Sequence, residues 1–296
     1  MHLPCISRNK ADRRQIRAAA LLLAPSLTGV AVFYLVPFAE VIRRSFTDAP
    51  GRRFVGLANY QAVLTNSAFH TAVSNTARFL CVCIPALLAL SLCMALLTRA
   101  AGRRGRLFQT SFLLPLAIPV ASIVLLWNVL FSQTGLVNTV LQALGAGPVD
   151  FMGTGAAFWV LIATYLWKNS GYDMVLWAAG LDRIPSAQYE AAAVDGANAW
   201  QTFRWITWPG LQPTLGLTVL LSLINSFKVF REAYLVAGQY PHESMYLLQH
   251  LFNNWFLALE LGRITAAAVL VVGVLLTAAG LFLGGKRLLK RRRKQC

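Results

Sequence analysis

Four polar side chains recur at helical steps inside one long apolar stretch of the sequence. Steps of three and four residues place side chains on one face of a helix. The four residues are Tyr165, Lys168, Asn169 and Tyr172. Tyrosine supplies a ring face for stacking and asparagine an amide for hydroxyl groups, so these residue types suit contact with a carbohydrate, and in a membrane-spanning helix they would line a path for it. Asn225 and Lys228, at the end of a later apolar stretch, are further candidates for the same path.

Lys168 is the member of this set that most needs an explanation. A cationic side chain near the bilayer centre costs at least about 2.5 kcal/mol on insertion scales, so a lipid-facing position is unfavourable. Lys168 then faces either a polar cavity, where it contacts the solute, or a packing partner such as a backbone carbonyl or an acid on a neighbouring helix or subunit. The packing alternative is slightly favoured, and both stay open at this point.

Catalytic, metal and cofactor sites are not indicated by the other reactive residues. Three of the five cysteines share one apolar stretch and the other two lie near opposite ends of the chain, which is not a disulfide framework. The four histidines form no pair at metal-ligand spacing, and no nucleophile–base constellation is recognisable. A GxxxxGK[ST] phosphate loop is also absent, so any ATP chemistry requires a separate polypeptide. The sequence therefore predicts no metal, no cofactor and no membrane-bound enzyme.

The elements that must position these residues are membrane-spanning helices. Hydrophobic residues make up 57% of the chain and charged residues only 13%, whereas soluble domains carry about 25% charged residues. Six uncharged or nearly uncharged stretches are long enough to cross a hydrocarbon core as helices. They are Ala18–Ala39, Phe79–Thr98, a span within Leu107–Phe131, Phe158–Gly180, Trp205–Phe227 and Ile264–Gly285. The predicted fold class is an all-α integral membrane protein with six transmembrane helices.

The net charge of +16 could indicate a nucleic-acid partner or a membrane surface. Most of the 27 lysines and arginines fall on one side when the six stretches alternate across the bilayer, and basic loops are typical of the cytoplasmic side. We therefore expect membrane lipid rather than nucleic acid as a partner, and both termini in the cytoplasm. The predicted organisation is a basic N-terminus over 1–17, a six-span domain over 18–285 and a basic tail over 286–296.

A cytoplasmic segment between the fourth and fifth stretches is more patterned than a simple loop. Ser186–Val194 is rich in helix formers, Pro185 suits a first helical turn, and Gly196 is a plausible helix stop. A second short helix is expected from about Asn198, after which Pro209 turns the chain toward the membrane. The sequence predicts two short helices here.

This segment carries a resemblance to a known family. The stretch EAAAVDG, followed by FRWI and WP, resembles the EAA loop of bacterial ABC importer permeases. Three further stretches, WKNSGYDMVLWAAGLDRIP, FVGLANY and LLPLAIP, resemble the carbohydrate-uptake branch, and FVGLANY resembles the first of its two paired permeases. Trp208 departs from the family, which usually has leucine before the proline.

The resemblance implies a coupling loop over 181–209 that docks in a cleft of the ATPase and transmits its closure to the spans. The implied coupling residues are Glu190, Ala191, Ala192, Asp195, Gly196, Ile206 and Pro209. The implied partners are a second permease subunit, two copies of a cytoplasmic ATP-binding subunit and an extracytoplasmic solute-binding protein, assembled in the bacterial inner membrane. Taken alone, EAAAVDGA would be no more than a good helix with a glycine cap.

Two rival functions remain at the level of sequence. A secondary transporter would also span the membrane many times, but ion coupling usually leaves carboxylates near the midplane, and only Asp173 lies well inside a predicted span. An ABC permease for another solute, such as glycerol phosphate, is the second alternative.

Overall fold

The structure is a computed structural model that describes residues 10–292, and within that range the protein is built from helices. In chain order they are α1 (Lys10–Val30), α2 (Val36–Ser45), α3 (Ala58–Leu64), α4 (Ser67–Ala100), α5 (Arg103–Ala117), α6 (Val120–Phe131), α7 (Leu136–Ala143), α8 (Ala156–Asp182), α9 (Ser186–Val194), α10 (Ala199–Thr202), α11 (Trp208–Ser226), α12 (Phe230–Ala237), α13 (Leu248–Leu257) and α14 (Leu261–Arg292). Among the described residues, extended chain pairs only at an isolated bridge between Thr47 and Phe54. The all-α prediction is confirmed. The outermost parts of the predicted basic ends, residues 1–9 and 293–296, lie outside the described residues.

Five helical stretches of the described range are long and apolar enough to cross a membrane. They are Ala18–Ser45, Ser67–Ala100, Val120–Ala143, Ala199–Ala237 and Leu261–Ala278. The predicted fourth span, Phe158–Gly180, forms the 27-residue helix α8. Helix α8 falls outside this group because polar residues such as Lys168, Asn169 and Asp173 lower its mean hydropathy.

The prediction of one unbroken span within Leu107–Phe131 is wrong. The chain is extended at Ile118 (ψ 126°) and Pro119 (ψ 145°), and this break separates α5 from α6. Proline has no N–H for a helical hydrogen bond and pushes the preceding residue toward extended geometry, which explains the break. The apolar stretch that satisfies the length of a span runs from α6 through α7.

The chain divides into two compact units, which are described separately. In the described range the first unit comprises residues up to Asn66 and from Trp255 onward. Within it, α14 packs against α2 and α3, and the FVGLANY stretch fastens the loop after α2. Asn59 donates hydrogen bonds to the carbonyls of Ser45 and Thr47, at 3.0 and 2.8 Å. The Tyr60 hydroxyl lies 2.7 Å from the Ser45 hydroxyl. The motif therefore stabilises the loop by contacts with Ser45 and Thr47, and its role here is structural.

The second unit, Ser67–Asn254, is organised around α8. This helix packs against α4, α5 and α11, and most of its residues are buried. At Gly171 the backbone of α5 comes so close that a Cβ atom would overlap the Phe112 carbonyl. A glycine is required there for the two helices to approach. Helix α8 therefore holds its polar side chains inside the protein.

Candidate functional site

A small polar cavity lies between α8 and the end of α11. Its volume is about 80 Å³, which is room for several water molecules. Five elements of structure supply its walls: α5, α8, α11, the short 3₁₀ turn Phe227–Val229 and α12. The lining residues are Leu116, Thr164, Tyr165, Lys168, Asn169, Asn225, Lys228, Val229 and Glu232. We call this set the polar cavity.

Lys168 forms an ion pair in the wall of the polar cavity. Its Nζ atom donates to Oε1 of Glu232 at 2.5 Å, and the two side chains are only 16% and 5% exposed. An acid on a neighbouring helix was one of the two partners expected for Lys168, and the structure provides it while also placing Lys168 in a cavity. The two alternatives for Lys168 are thus compatible with each other.

Glu232 is the residue of this site that sequence reasoning missed. It lies beyond the predicted end of the fifth span at Phe227, whereas the helical stretch that begins at Ala199 continues to Ala237. The spacing indicates it, because Asn225, Lys228 and Glu232 follow one another at steps of three and four residues, which places them on one face of a helix. Extending the helical pattern past the charged Lys228 would have found it.

Of the other predicted pathway residues, Tyr165, Asn169 and Asn225 line the polar cavity and Tyr172 does not. Asn169 lines the polar cavity, and its amide also donates to the Tyr165 carbonyl at 2.9 Å. Tyr165 lines it too, but its hydroxyl donates to the Ser222 carbonyl at 2.8 Å and the residue is 2% exposed. Tyr172 is half-buried and is absent from the lining. The structure therefore brings together Tyr165, Lys168, Asn169 and Asn225, without Tyr172.

The Ala-rich segment, which we define as residues 181–209, contains the two predicted short helices. Helix α9 covers Ser186–Val194, as the sequence predicts. Gly196 has φ +74°, a left-handed conformation that only glycine adopts without strain. Asn198 then caps α10 by a capping box with Gln201, in which each side chain bonds the other residue's backbone N–H.

The prediction that the chain turns at Pro209 is wrong. Helix α10 passes through a π-helical turn, Phe203–Thr207, directly into α11, and Ala199–Ala237 reads as one helical stretch. Pro209 is the second residue of α11 and directly follows the π-helical turn, so the missing proline N–H falls where the hydrogen-bond pattern of the continuous helix already changes. The helical path is interrupted instead between α9 and α10, where Gly196 is left-handed.

The predicted coupling residues divide into an exposed and an inward group. Glu190, Ala191, Asp195, Gly196 and Pro209 are exposed. Ala192 is only 9% exposed, and Ile206 packs against the core under the segment. Ala192 therefore faces the chain's own interior, so its smallness serves packing within the chain.

Arg99 ties this segment to the end of α4. Its guanidinium donates to the Leu181 carbonyl at 3.1 Å and lies 4.9 Å from the centre of the Tyr189 ring. The Tyr189 hydroxyl is 3.1 Å from that of Thr207 in the π-helical turn. These contacts link α4, α8, α9 and the start of α11, and we call the set the Arg99 brace.

The outer face of the Ala-rich segment exposes large apolar side chains beside charges. Val194 is 88% exposed, Trp200 69% and Trp205 72%. Exposed aromatic side chains grouped with polar residues are typical of a contact surface for another protein. One side of the segment therefore packs against the core and is held by the Arg99 brace. The other side is exposed in the isolated chain.

Comparison with known proteins identifies relatives along most of the chain. Residues 87–294 match the family model of the "Binding-protein-dependent transport system inner membrane component". The trehalose/maltose transport system permease protein MalF of Thermococcus litoralis is 31% identical over 277 residues, which is 91% of this chain and 93% of that protein. The sulfoquinovosyl glycerol transport system permease protein SmoG of Agrobacterium fabrum is 30% identical over 274 residues, covering 90% and 89%.

The fold has a counterpart among solved structures. A chain of a bacterial ABC transporter involved in the import of the acidic polysaccharide alginate superposes with a TM-score of 0.77. The match covers 93% of this chain and 96% of that chain at 23% sequence identity. The likeness supports the helical arrangement described above.

Proposed function

The chain belongs to the family of binding-protein-dependent transport system inner membrane components, and we propose that it is one of two permease subunits of an ATP-driven carbohydrate importer. The observation that carries this proposal is the similarity to carbohydrate permeases over nine-tenths of the chain. The prediction of a transport subunit rather than an enzyme is confirmed by this family. Neither a secondary transporter nor a glycerol phosphate permease is favoured by these relatives.

The proposed topology has six spans with both termini in the cytoplasm. Helix α8 is the sixth long helix beside the five apolar stretches, and it is long enough to cross the bilayer. Its burial among α4, α5 and α11 removes the need for a wholly apolar surface. The excess of basic residues on one side supports the orientation. Labelling of single cysteines tests it: a cysteine at Gln142 should react from outside intact cells and one at Ala197 should not.

We propose that the Ala-rich segment is the coupling element that docks on the ATPase. Its exposed members, Glu190, Ala191, Asp195 and Gly196, lie around the turn that Gly196 makes possible. Ile206 and the inward Ala192 hold the segment on the core, and the Arg99 brace connects it to α4 and α8. A push on α9 would thereby reach the helices that line the polar cavity.

The polar cavity is the proposed part of the solute path. The lining combines the hydrogen-bonding side chains of Asn169, Asn225 and Lys168 with the aromatic residue Tyr165, and carbohydrate binding uses both kinds of group. Since Tyr172 does not line the cavity, we assign it no contact there. Half of a complete path would come from the second permease subunit.

The proposed importer requires several partners of this chain. A second permease would complete the path, two copies of an ATP-binding subunit would supply energy, and an extracytoplasmic binding protein would deliver the solute. Membrane lipid surrounds the spans, of which Ala18–Ser45 has no buried residue in its apolar window. No nucleic-acid partner is proposed.

Reconstitution tests the proposed function directly. The chain, the partner permease, the ATPase and the binding protein encoded by adjacent genes are placed in liposomes with internal ATP, and uptake of labelled neutral and acidic oligosaccharides is measured. Uptake should require ATP and the binding protein. Uptake that persists without ATP and follows an imposed proton or sodium gradient would overturn the proposal. Omission of this chain is the matched control.

A further inference from the structure

The polar cavity carries more positive than negative charge. Its lining contains two basic residues, Lys168 and Lys228, and one acidic residue, Glu232, so basic residues are in excess by one. Lys168 is paired with Glu232, which leaves Lys228 as the surplus cation. The structure gives the Lys228 ammonium one acceptor, the amide oxygen of Asn225 at 2.8 Å. An amide carries no net charge, so this contact does not neutralise Lys228.

Glu232, which lines the same cavity, has an acceptor atom without a donor. The Oε2 atom of Glu232 is buried and has no hydrogen-bond partner among the described residues, while Oε1 binds Lys168. A buried charged oxygen without a donor costs free energy unless a ligand or water supplies one. A hydroxyl group of a solute would satisfy it.

We propose that the solute is an acidic carbohydrate, in which hydroxyl groups satisfy Glu232 Oε2 and an anionic group pairs with Lys228. This inference rests on the proposed solute path and adds the charge of the cargo to it. Uronates, sulfonated sugars and sugar phosphates share the required chemistry, a compact oxyanion next to hydroxyls, and an ammonium binds each of these anions by charge-assisted hydrogen bonds. Lys228 is exposed in the isolated chain, so an anionic group can reach its ammonium, whereas a neutral sugar offers it no opposite charge.

Arg231 provides a matched control for Lys228. Arg231 is an exposed cation three residues further along the chain, and it does not line the polar cavity. A general electrostatic effect of this region on the membrane or on assembly involves both residues, whereas pairing with a solute in the cavity involves Lys228 alone.

The experiment compares Lys228→Gln and Arg231→Gln in the complete reconstituted importer. The probes are the uronate disaccharide of glucuronate and glucose, a sulfonated glucoside, glucose 6-phosphate and the neutral disaccharide maltose, and competition between each pair gives a selectivity ratio. At least one acidic probe should be preferred over maltose by the unmodified importer. Lys228→Gln should lower that preference about tenfold, and Arg231→Gln should change it less than twofold.

Each alternative outcome contradicts a particular statement. ATP-dependent uptake of maltose alone leaves the proposed function in place and overturns the acidic-cargo inference. Equal losses for acidic and neutral probes in Lys228→Gln would mean that this lysine serves assembly or the membrane surface, which also overturns it. A lack of ATP-dependent uptake for every carbohydrate contradicts the proposed function itself. Membrane abundance and assembly of both variants, measured by size-exclusion chromatography in detergent, exclude misfolding as the cause.

Discussion

The Ala-rich segment and the polar cavity are built in opposite ways. The Ala-rich segment gathers its residues from one continuous stretch of chain, and α9 begins and ends where helix formers and Gly196 indicate. The polar cavity collects side chains from α5, α8, α11, the 3₁₀ turn Phe227–Val229 and α12, and its central contact joins Lys168 to Glu232 across 64 residues of sequence. A local surface can be recognised from a motif, whereas a cavity requires the packing of distant helices.

The two regions also differ in how they depend on the rest of the protein. Exposed residues of the Ala-rich segment are free to contact a partner, so a change there should affect function more than folding. Five of the nine residues that line the polar cavity are buried, and Lys168 is paired with Glu232, so a change in that pair should affect folding as well. The predictions below test this difference, beginning with the largest expected effect.

Glu232→Gln should destabilise the protein strongly, because it leaves the Lys168 ammonium buried without its carboxylate. Loss of one partner of a buried pair typically costs about 3–5 kcal/mol. Thermal or denaturant unfolding of the purified chain in detergent measures the change. The double variant Lys168→Met, Glu232→Leu should recover most of the lost stability while remaining impaired in transport. Unchanged stability in the single variant would mean that the pair is not buried as described.

Ala191→Arg and Ala192→Arg should separate docking from packing. Ala191 is exposed, so a large charged side chain there should block the ATPase and reduce transport by at least about tenfold while the chain stays folded. Ala192 is 9% exposed, so the same change should disturb packing of the chain itself. Co-purification with the ATPase subunit and unfolding temperature are the two readouts. A normal ATPase complex in the Ala191→Arg variant would contradict the docking role.

Arg99→Met should weaken the link between the two regions. The change removes a charged hydrogen bond to Leu181 and the contact with the Tyr189 ring, which together contribute about 1–3 kcal/mol. ATP hydrolysis should then become less dependent on the loaded binding protein, and transport per ATP should fall several-fold. Tyr189→Phe keeps the ring but removes the hydroxyl contact with Thr207, so it should have a smaller effect. Equal coupling ratios in all three proteins would exclude a role for the Arg99 brace.

His250 should produce an acid lability that is independent of both regions. It lies in α13, outside the five apolar stretches, with Phe230 edge-on at 4.8 Å and Tyr246 stacked at 5.7 Å. Burial lowers the pKa of His250 from the ordinary 6.5 to about 4. The unfolded chain therefore takes up this proton first, and the contribution to stability, complete above pH 6.5, is lost as the pH falls toward 4, by at most about 1.4 kcal/mol per pH unit.

Unfolding temperature as a function of pH measures this effect. In His250→Gln the pH dependence between 6.5 and 4 should become flatter, because a buried glutamine does not take up a proton. His242→Gln serves as the control, since it leaves His250 in place. An unchanged pH profile in His250→Gln would assign the acid lability to other groups.

Sequence patterns anticipated the parts of the structure that depend on near neighbours in the chain. Helix α9 and the glycine turn were predicted correctly because helix propensity and a positive φ are local properties. The break at Pro119 and the continuous helix through Pro209 show the limit of that reasoning. A proline ends a helix or is tolerated in it according to the turn it occupies, and the intervening π-helical turn had no clear signal in the sequence.

The sequence by itself determined a helical membrane protein, a family and the location of the Ala-rich segment. It did so because hydropathy, charge distribution and a short motif are carried by consecutive residues. Only the tertiary structure decided that Lys168 pairs with Glu232, that Lys228 is left as a surplus cation, and that Ala192 faces inward while Ala191 does not. These facts depend on which helices touch and how each is rotated, and rotation follows from packing between residues that are far apart along the chain.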